Sequence, residues 1–84
     1  MAKDYSAGRY NVYQGRGPSA PLIGRIDEDE FVRSNGKLIY RVDGDEFYDM
    51  SGNFIGSIVE VDGVGLVIGQ GQGGETCHFM IMDE

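Results

Sequence analysis

The chain predicts an all-β domain: an antiparallel meander of about eight short strands, written as four hairpin repeats, closed or barrel-like, with no significant helix. Three observations carry this. Residues 31–46 and 47–62 read as one sixteen-residue unit written twice, aligning Phe31 with Phe47, Gly36 with Gly52, Leu38 with Phe54, Ile39 with Ile55 and Val42 with Ile58. Asn35-Gly36 sits between two short apolar runs, and this dipeptide supplies cheaply the positive φ that a type I′ hairpin turn needs at both central residues. A sixteen-residue unit holds two strands of about five or six residues and two tight turns, which leaves no room for a helix.

The elements follow in order. Residues 1–7 are expected to be a disordered N-terminus within a single domain of 84 residues. The first strand is expected over residues 10–13, and residues 14–21 form a loop on their Gly, Pro and Ser content. Residues 21–30 match residues 37–46 almost column by column, which places a second strand there. In the first full copy, a turn centred on Asn35-Gly36 pairs Arg33 with Leu38, Val32 with Ile39 and Phe31 with Tyr40. Phe31, Leu38, Tyr40 and Val42 then share the expected core face, with Val32 and Ile39 on the other. The second copy turns at Ser51-Gly52, setting Tyr48 opposite Ile55 and Phe47 opposite Gly56, where a ring lies over the missing side chain. The fourth copy is degenerate: a strand over residues 64–68, a flexible glycine-rich connection over 69–74, and a strand over 76–82. A repeat this short buries no face alone, so the hairpins must stack.

The last strand is apolar on both faces: Cys77, Phe79 and Ile81 on one, His78, Met80 and Met82 on the other. Such a strand either closes the sheet against the first or pairs with another chain, since left exposed it invites aggregation. The expectation is a homo-oligomer assembled through this C-terminal strand.

Charge is unevenly placed. The net charge is −7, all seven basic residues lie at or before Arg41, and nine carboxylates follow it. Because turns alternate between the ends of a meander, the acidic connections at residues 27–30, 43–46 and 60–62 should gather at one end. The opposite end should be weakly basic, with Arg16, Arg33 and Lys37. The acidic rim is a docking patch for a basic protein partner or a cation site, for which Asp27, Asp29, Asp43, Asp45 and Glu46 are the candidate ligands. An EF-hand is excluded, because the twelfth position counted from Asp43 is Phe54 and not glutamate. A phosphate backbone would meet net repulsion, so no nucleic-acid partner is expected. No run is long enough to span a membrane and no apolar leader is visible, so no membrane partner and a cytoplasmic location are expected. The glycine-rich stretch lacks the Lys-Ser/Thr of a phosphate loop.

Chemistry is sparse. Cys77 and His78 are adjacent on a strand and point apart, so they form neither a dyad nor a zinc pair. With one cysteine there is no intrachain disulfide. No catalytic set and no cofactor are predicted.

The repeated phrase, carried by Phe31, Asn35-Gly36, Ile39 and Val42-Asp43, and again by Phe47, Ser51-Gly52, Ile55 and Ile58, with 23–27 as a partial third copy, resembles short bacterial β-hairpin-repeat proteins. These are four-fold β-flower-like proteins of the kind found among integron gene-cassette products. The resemblance covers about half the chain and implies an all-β repeat fold, often self-associating, with no established biochemical activity and no functional residues to carry over. The expected function is a non-enzymatic, self-associating interaction module. The alternative is a small-molecule or cation-binding protein, with its site at the acidic rim or in an aromatic cleft lined by Tyr40, Phe47, Tyr48 and His78.

Overall fold

The computed structural model describes residues 5, 7–71 and 73–83. The described residues form eight strands and no helix: β1 (Arg9–Gln14), β2 (Leu22–Asp27), β3 (Phe31–Ser34), β4 (Lys37–Asp43), β5 (Glu46–Asp49), β6 (Phe54–Val61), β7 (Val64–Gly71) and β8 (Gly74–Asp83). Each pairs antiparallel with the next, and β8 returns to β1, so the sheet closes into a barrel.

Every strand contributes to the core, and one residue from each forms its central belt. Val12, Ile26, Val32, Val42, Phe47, Ile58, Val67 and Ile81 are all buried in one cluster. They meet as four cross-strand pairs, Ile26 with Val32, Val42 with Phe47, Ile58 with Val67, and Ile81 with Val12. The last of these is the closure seam. Its register repeats that of the other three, so the four hairpins are arranged alike even where the fourth has lost the repeat sequence. A barrel this small is filled by side chains in layers. One layer toward the hairpin turns, the same four core residues on the odd strands face Gly24, Tyr40, Gly56 and Phe79. Aromatic residues from the second and fourth hairpins thus alternate with glycines from the first and third.

Beyond that layer each hairpin carries an irregularity in its second strand. The register skips Ile23, Ile39, Ile55 and His78. Such bulges bend a strand and sharpen its twist, which a narrow barrel requires. They let the three isoleucines pack against the core although an alternating strand would turn them out.

The bulges correct the expected core face. Arg33 does pair with Leu38, but the bulge at Ile39 shifts the rest, so Val32 meets Tyr40 and Phe31 meets Arg41. Val32 is fully buried, whereas Leu38 is 36% exposed and Phe31 lies half-buried. The second copy escapes this shift because its turn is longer. Asp49 N–H donates to Asn53 O at 3.0 Å, so Met50, Ser51 and Gly52 form the connection in place of the expected two-residue turn. The extra residue keeps Phe47 inside, opposite Gly56, and sets Tyr48 opposite Phe54.

Other expectations change in detail. The glycine-rich stretch is largely strand: Gly69 and Gly71 belong to β7 and Gly74 to β8, with Gly71 paired to Gly74. Gly56 and Gly69 permit a close approach of β6 and β7, because a Cβ at Gly56 would lie 2.5 Å from the Ile68 carbonyl oxygen. Of the expected disordered start, residues 1–4 and 6 lie outside the described residues, but Tyr5 is 2% exposed and joins the core cluster. Its ring stacks edge-on against Tyr10 at 5.1 Å and occupies the space that a side chain at position 65 would need. Both sides of β8 are paired, to β1 and β7. From Phe79 to Ile81 the backbone is paired on both sides, so that stretch offers no open edge to a second copy.

Candidate functional site

Strand direction sorts the surface into two ends. The connections at 28–30, 44–45 and 62–63 lie with Arg9 and Asp83, the outer ends of β1 and β8, at one end; the 15–21 loop and the 35–36, 50–52 and β7–β8 turns lie at the other.

The terminal end collects the predicted acidic rim. Asp27 closes β2, Asp29 lies in the next connection, and Asp43, Asp45 and Glu46 frame the β4–β5 turn. Arginines lace this rim. Arg9 pairs with Asp27 at 3.1 Å and Glu28 at 3.5 Å, Arg33 with Asp29, and Arg41 with Glu30 at 3.5 Å. Arg33, expected at the basic end, therefore reaches back toward the acidic one. Asp29 Oδ1 also accepts from the Phe31 N–H at 3.0 Å, and Glu46 Oε1 accepts from the Tyr48 hydroxyl at 2.9 Å. That bond, more than any burial, pushes the Tyr48 phenol above its ordinary pKa. Among the described residues no three His, Cys, Asp or Glu side chains converge to hold a metal. The five candidate ligands share one end without forming one site.

Of the expected aromatic cleft, Tyr40 and Phe47 are brought together, with ring centroids 5.2 Å apart, while Tyr48 and His78 are engaged elsewhere. Tyr48 packs outside the barrel on Phe54, with ring centroids 5.6 Å apart. Phe47 is fully buried. His78 Nε2 lies 2.9 Å from Gln70 O, and Cys77 Sγ lies 3.2 Å from Phe79 O, so neither is directed at the other. Burial pushes the Cys77 thiol up, which lowers its thiolate fraction at neutral pH, the reverse of an activated nucleophile.

Tyr40 is the member of that set that opens onto a cavity. At the turn end, a mouth of about 370 Å³ is lined by Gln14, Ile23, Lys37, Leu38, Ile39, Tyr40, Met50 and Phe79. Its floor is aromatic. Tyr40 and Phe79 reach across the lumen from opposed hairpins to a centroid separation of 4.9 Å, and Phe47 underlies both at 5.2 and 5.1 Å. The alternation of Tyr40 and Phe79 with Gly24 and Gly56 produces this geometry. Two large rings fill the diameter, and the glycines let the flanking strands close in.

Ile23 and Ile39, brought inward at the bulges, form the mouth's walls. The sequence carried a signal for them. Leu22-Ile23, Leu38-Ile39 and Phe54-Ile55 each place two apolar residues in succession, at sixteen-residue spacing, which breaks the alternation of a regular strand and marks a bulge. Around the mouth, Leu22, Leu38 and Phe54 form an apolar crown, 51%, 36% and 55% exposed, of which Leu38 also lines the opening.

A larger hollow of about 450 Å³ runs along the outside between β2 and β3. Of the charged groups that border it, Asp27 and Arg33 are already committed to ion pairs, and backbone and turn residues supply much of its wall. The mouth has the better composition for a ligand: mostly apolar, aromatic at the base, with few polar groups at the rim, and within the roughly 300–1,000 Å³ usual for such sites.

No family model matches the chain, and no curated protein or solved structure matches it either. Among the described residues no helix is long and apolar enough to cross a membrane.

Proposed function

We propose that the chain is a non-enzymatic binding module that takes a small, largely apolar ligand into the mouth at the turn end of the barrel. The observation that carries this reading is the Tyr40–Phe79 contact across the lumen at 4.9 Å, which gives the mouth an aromatic floor. The test is a methyl-resolved NMR titration with 1-octanol. The expected result is saturable shifts at Ile39 together with Met50, which line the mouth and not the β2–β3 hollow. Shifts confined to Leu22 and Phe54, or to the residues of the β2–β3 hollow with Ile39 unmoved, would reject the mouth as the site.

A second reading keeps the expected self-association but moves it from the β8 edge to the crown, where Leu22, Leu38, Met50 and Phe54 are exposed together at one end. Sedimentation equilibrium decides it. A discrete dimer that Phe54→Ser converts to monomer supports the crown as an interface; a monomer at all concentrations rejects it. In the same proposal, the acidic end is the surface for a basic protein partner. The free Cys77 accords with a cytoplasmic setting, and the sixteen-residue repeat supports kinship with the β-flower-like cassette proteins.

A further inference from the structure

The geometry points to an amphipathic monocarboxylate, an apolar body with a single carboxylate head, as the ligand class of this mouth; the inference rests on the mouth being a binding site. Lys37 is the one charged residue among the described residues that line it. It stands at the first position of β4, exposed, at the rim. Arg9, Arg33 and Arg41 are each engaged by carboxylates, whereas Lys37 enters no ion pair among the described residues. An ammonium beside an apolar pocket favours a ligand that brings one negative charge to the rim and carbon to the floor. A cationic ligand would meet repulsion there, and a neutral one would leave the charge unused. A polyphosphate would require several cations and a polar wall, and this wall is Ile23, Leu38, Ile39, Tyr40 and Phe79. Gln14, also at the rim, adds an amide able to donate to a carboxylate.

The net charge of −7 does not oppose this. The barrel measures 33 × 30 × 27 Å, so the acidic end lies beyond the Debye length of ~8 Å at physiological salt. Two carboxylates do lie toward the turn end. Asp49 has its oxygens taken by Ser51 N–H, Asn53 N–H and Asn53 Nδ2, and Glu75 sits on the separate β7–β8 hairpin.

The experiment is calorimetric titration of the full chain with octanoate, 1-octanol and octylammonium, repeated on Lys37→Gln and Lys37→Arg after circular dichroism confirms that both variants are folded. The expected result is octanoate tighter than octanol by about fivefold or more, the gain of one charge-assisted hydrogen bond, with octylammonium weakest. Lys37→Gln should equalise octanoate and octanol, and Lys37→Arg should keep the preference. Equal affinity of octanoate and octanol for the native chain, or a preference that survives Lys37→Gln, would overturn the carboxylate assignment and leave the mouth as an apolar site. Failure of all three to bind would overturn the mouth as well.

Discussion

Tyr5 shows how one residue can both seal a barrel and limit its stability. Its hydroxyl is buried without a hydrogen-bond partner among the described residues, and its pKa is pushed up to about 12, first by burial and then by Glu60, Tyr10 and Asp83. The folded state thus holds this proton more tightly than the unfolded chain, whose tyrosine titrates near its ordinary value. The stabilisation that follows is complete below about pH 10 and disappears as pH rises toward 12. Denaturant midpoints measured from pH 8 to 12 should fall steeply above pH 10 in the native chain and more gently in Tyr5→Phe. At neutral pH the same variant should be neutral or slightly stabilising, by at most about 1 kcal/mol, because it removes an unpaired buried polar group. Gly56 acts in the opposite sense. A methyl group there would be driven into the Ile68 carbonyl at a strand junction with little slack. Gly56→Ala should destabilise the fold by roughly 1–3 kcal/mol, read as a lowered denaturant midpoint, while Gly36→Ala, whose Cβ would meet nothing, tests backbone strain alone.

Elements owe their registers to turn length. The sixteen-residue period was legible at once, and so were the Asn35-Gly36 turn and the gathering of the acidic connections at one end, since all three depend on local composition; the basic end was not, because Arg33 turns back to pair with Asp29. Positive φ at Asn35 and Gly36, 52° and 79°, is what that dipeptide promises. What the sequence hid was where one residue of slack goes. The first copy spends it before Phe31, in the three-residue connection 28–30; the second spends it after Tyr48, in 50–52. Sequence alignment therefore pairs Phe31 with Phe47, while the sheet makes Val32 the counterpart of Phe47. The same slack decides the mouth, because Ile23 and Ile39 enter it only through bulges that simple alternation forbids. Asp49 fixes the longer turn by accepting three hydrogen bonds from Ser51 and Asn53, and the Asn53 bonds hold its carboxyl below the ordinary range. This contribution is present above the usual carboxylate pKa and fades as pH falls through the lowered one. Asp49→Ala should lower the melting temperature by a few degrees at pH 7, and the difference from the native chain should shrink as the pH falls below the ordinary carboxylate range.

At the scale of the whole molecule, closure decides what the last strand is for. Its apolar faces invited two explanations, ring closure and assembly, and the β1–β8 ladder from Tyr10–Asp83 to Gln14–Phe79 supplies the first. Nothing local in either strand encodes that ladder; it exists because the hairpins turn through a full circle before the chain ends. Phe79 is consequently core, 7% exposed, and a charge there would unfold the protein rather than report on assembly. For the proposed crown interface, Phe54→Ser is the substitution that separates assembly from folding, because Phe54 is 55% exposed.

Because Tyr10 lies beside Asp83, the barrel is a ring whose point of entry is arbitrary. Four hairpins with a common register have no structural first member, and the break between β8 and β1 is one gap among several equivalent ones. A circular permutant that joins Asp83 to Tyr5 through a short glycine linker and begins at Asp45 should fold to the same barrel. Its new termini would fall at the carboxylate-rich end, far from the mouth, so the proposed octanol affinity should be retained with some loss of stability. A permutant that folds but loses the mouth would mean that the order of synthesis, and not the closed ring alone, sets the positions of Tyr40 and Phe79.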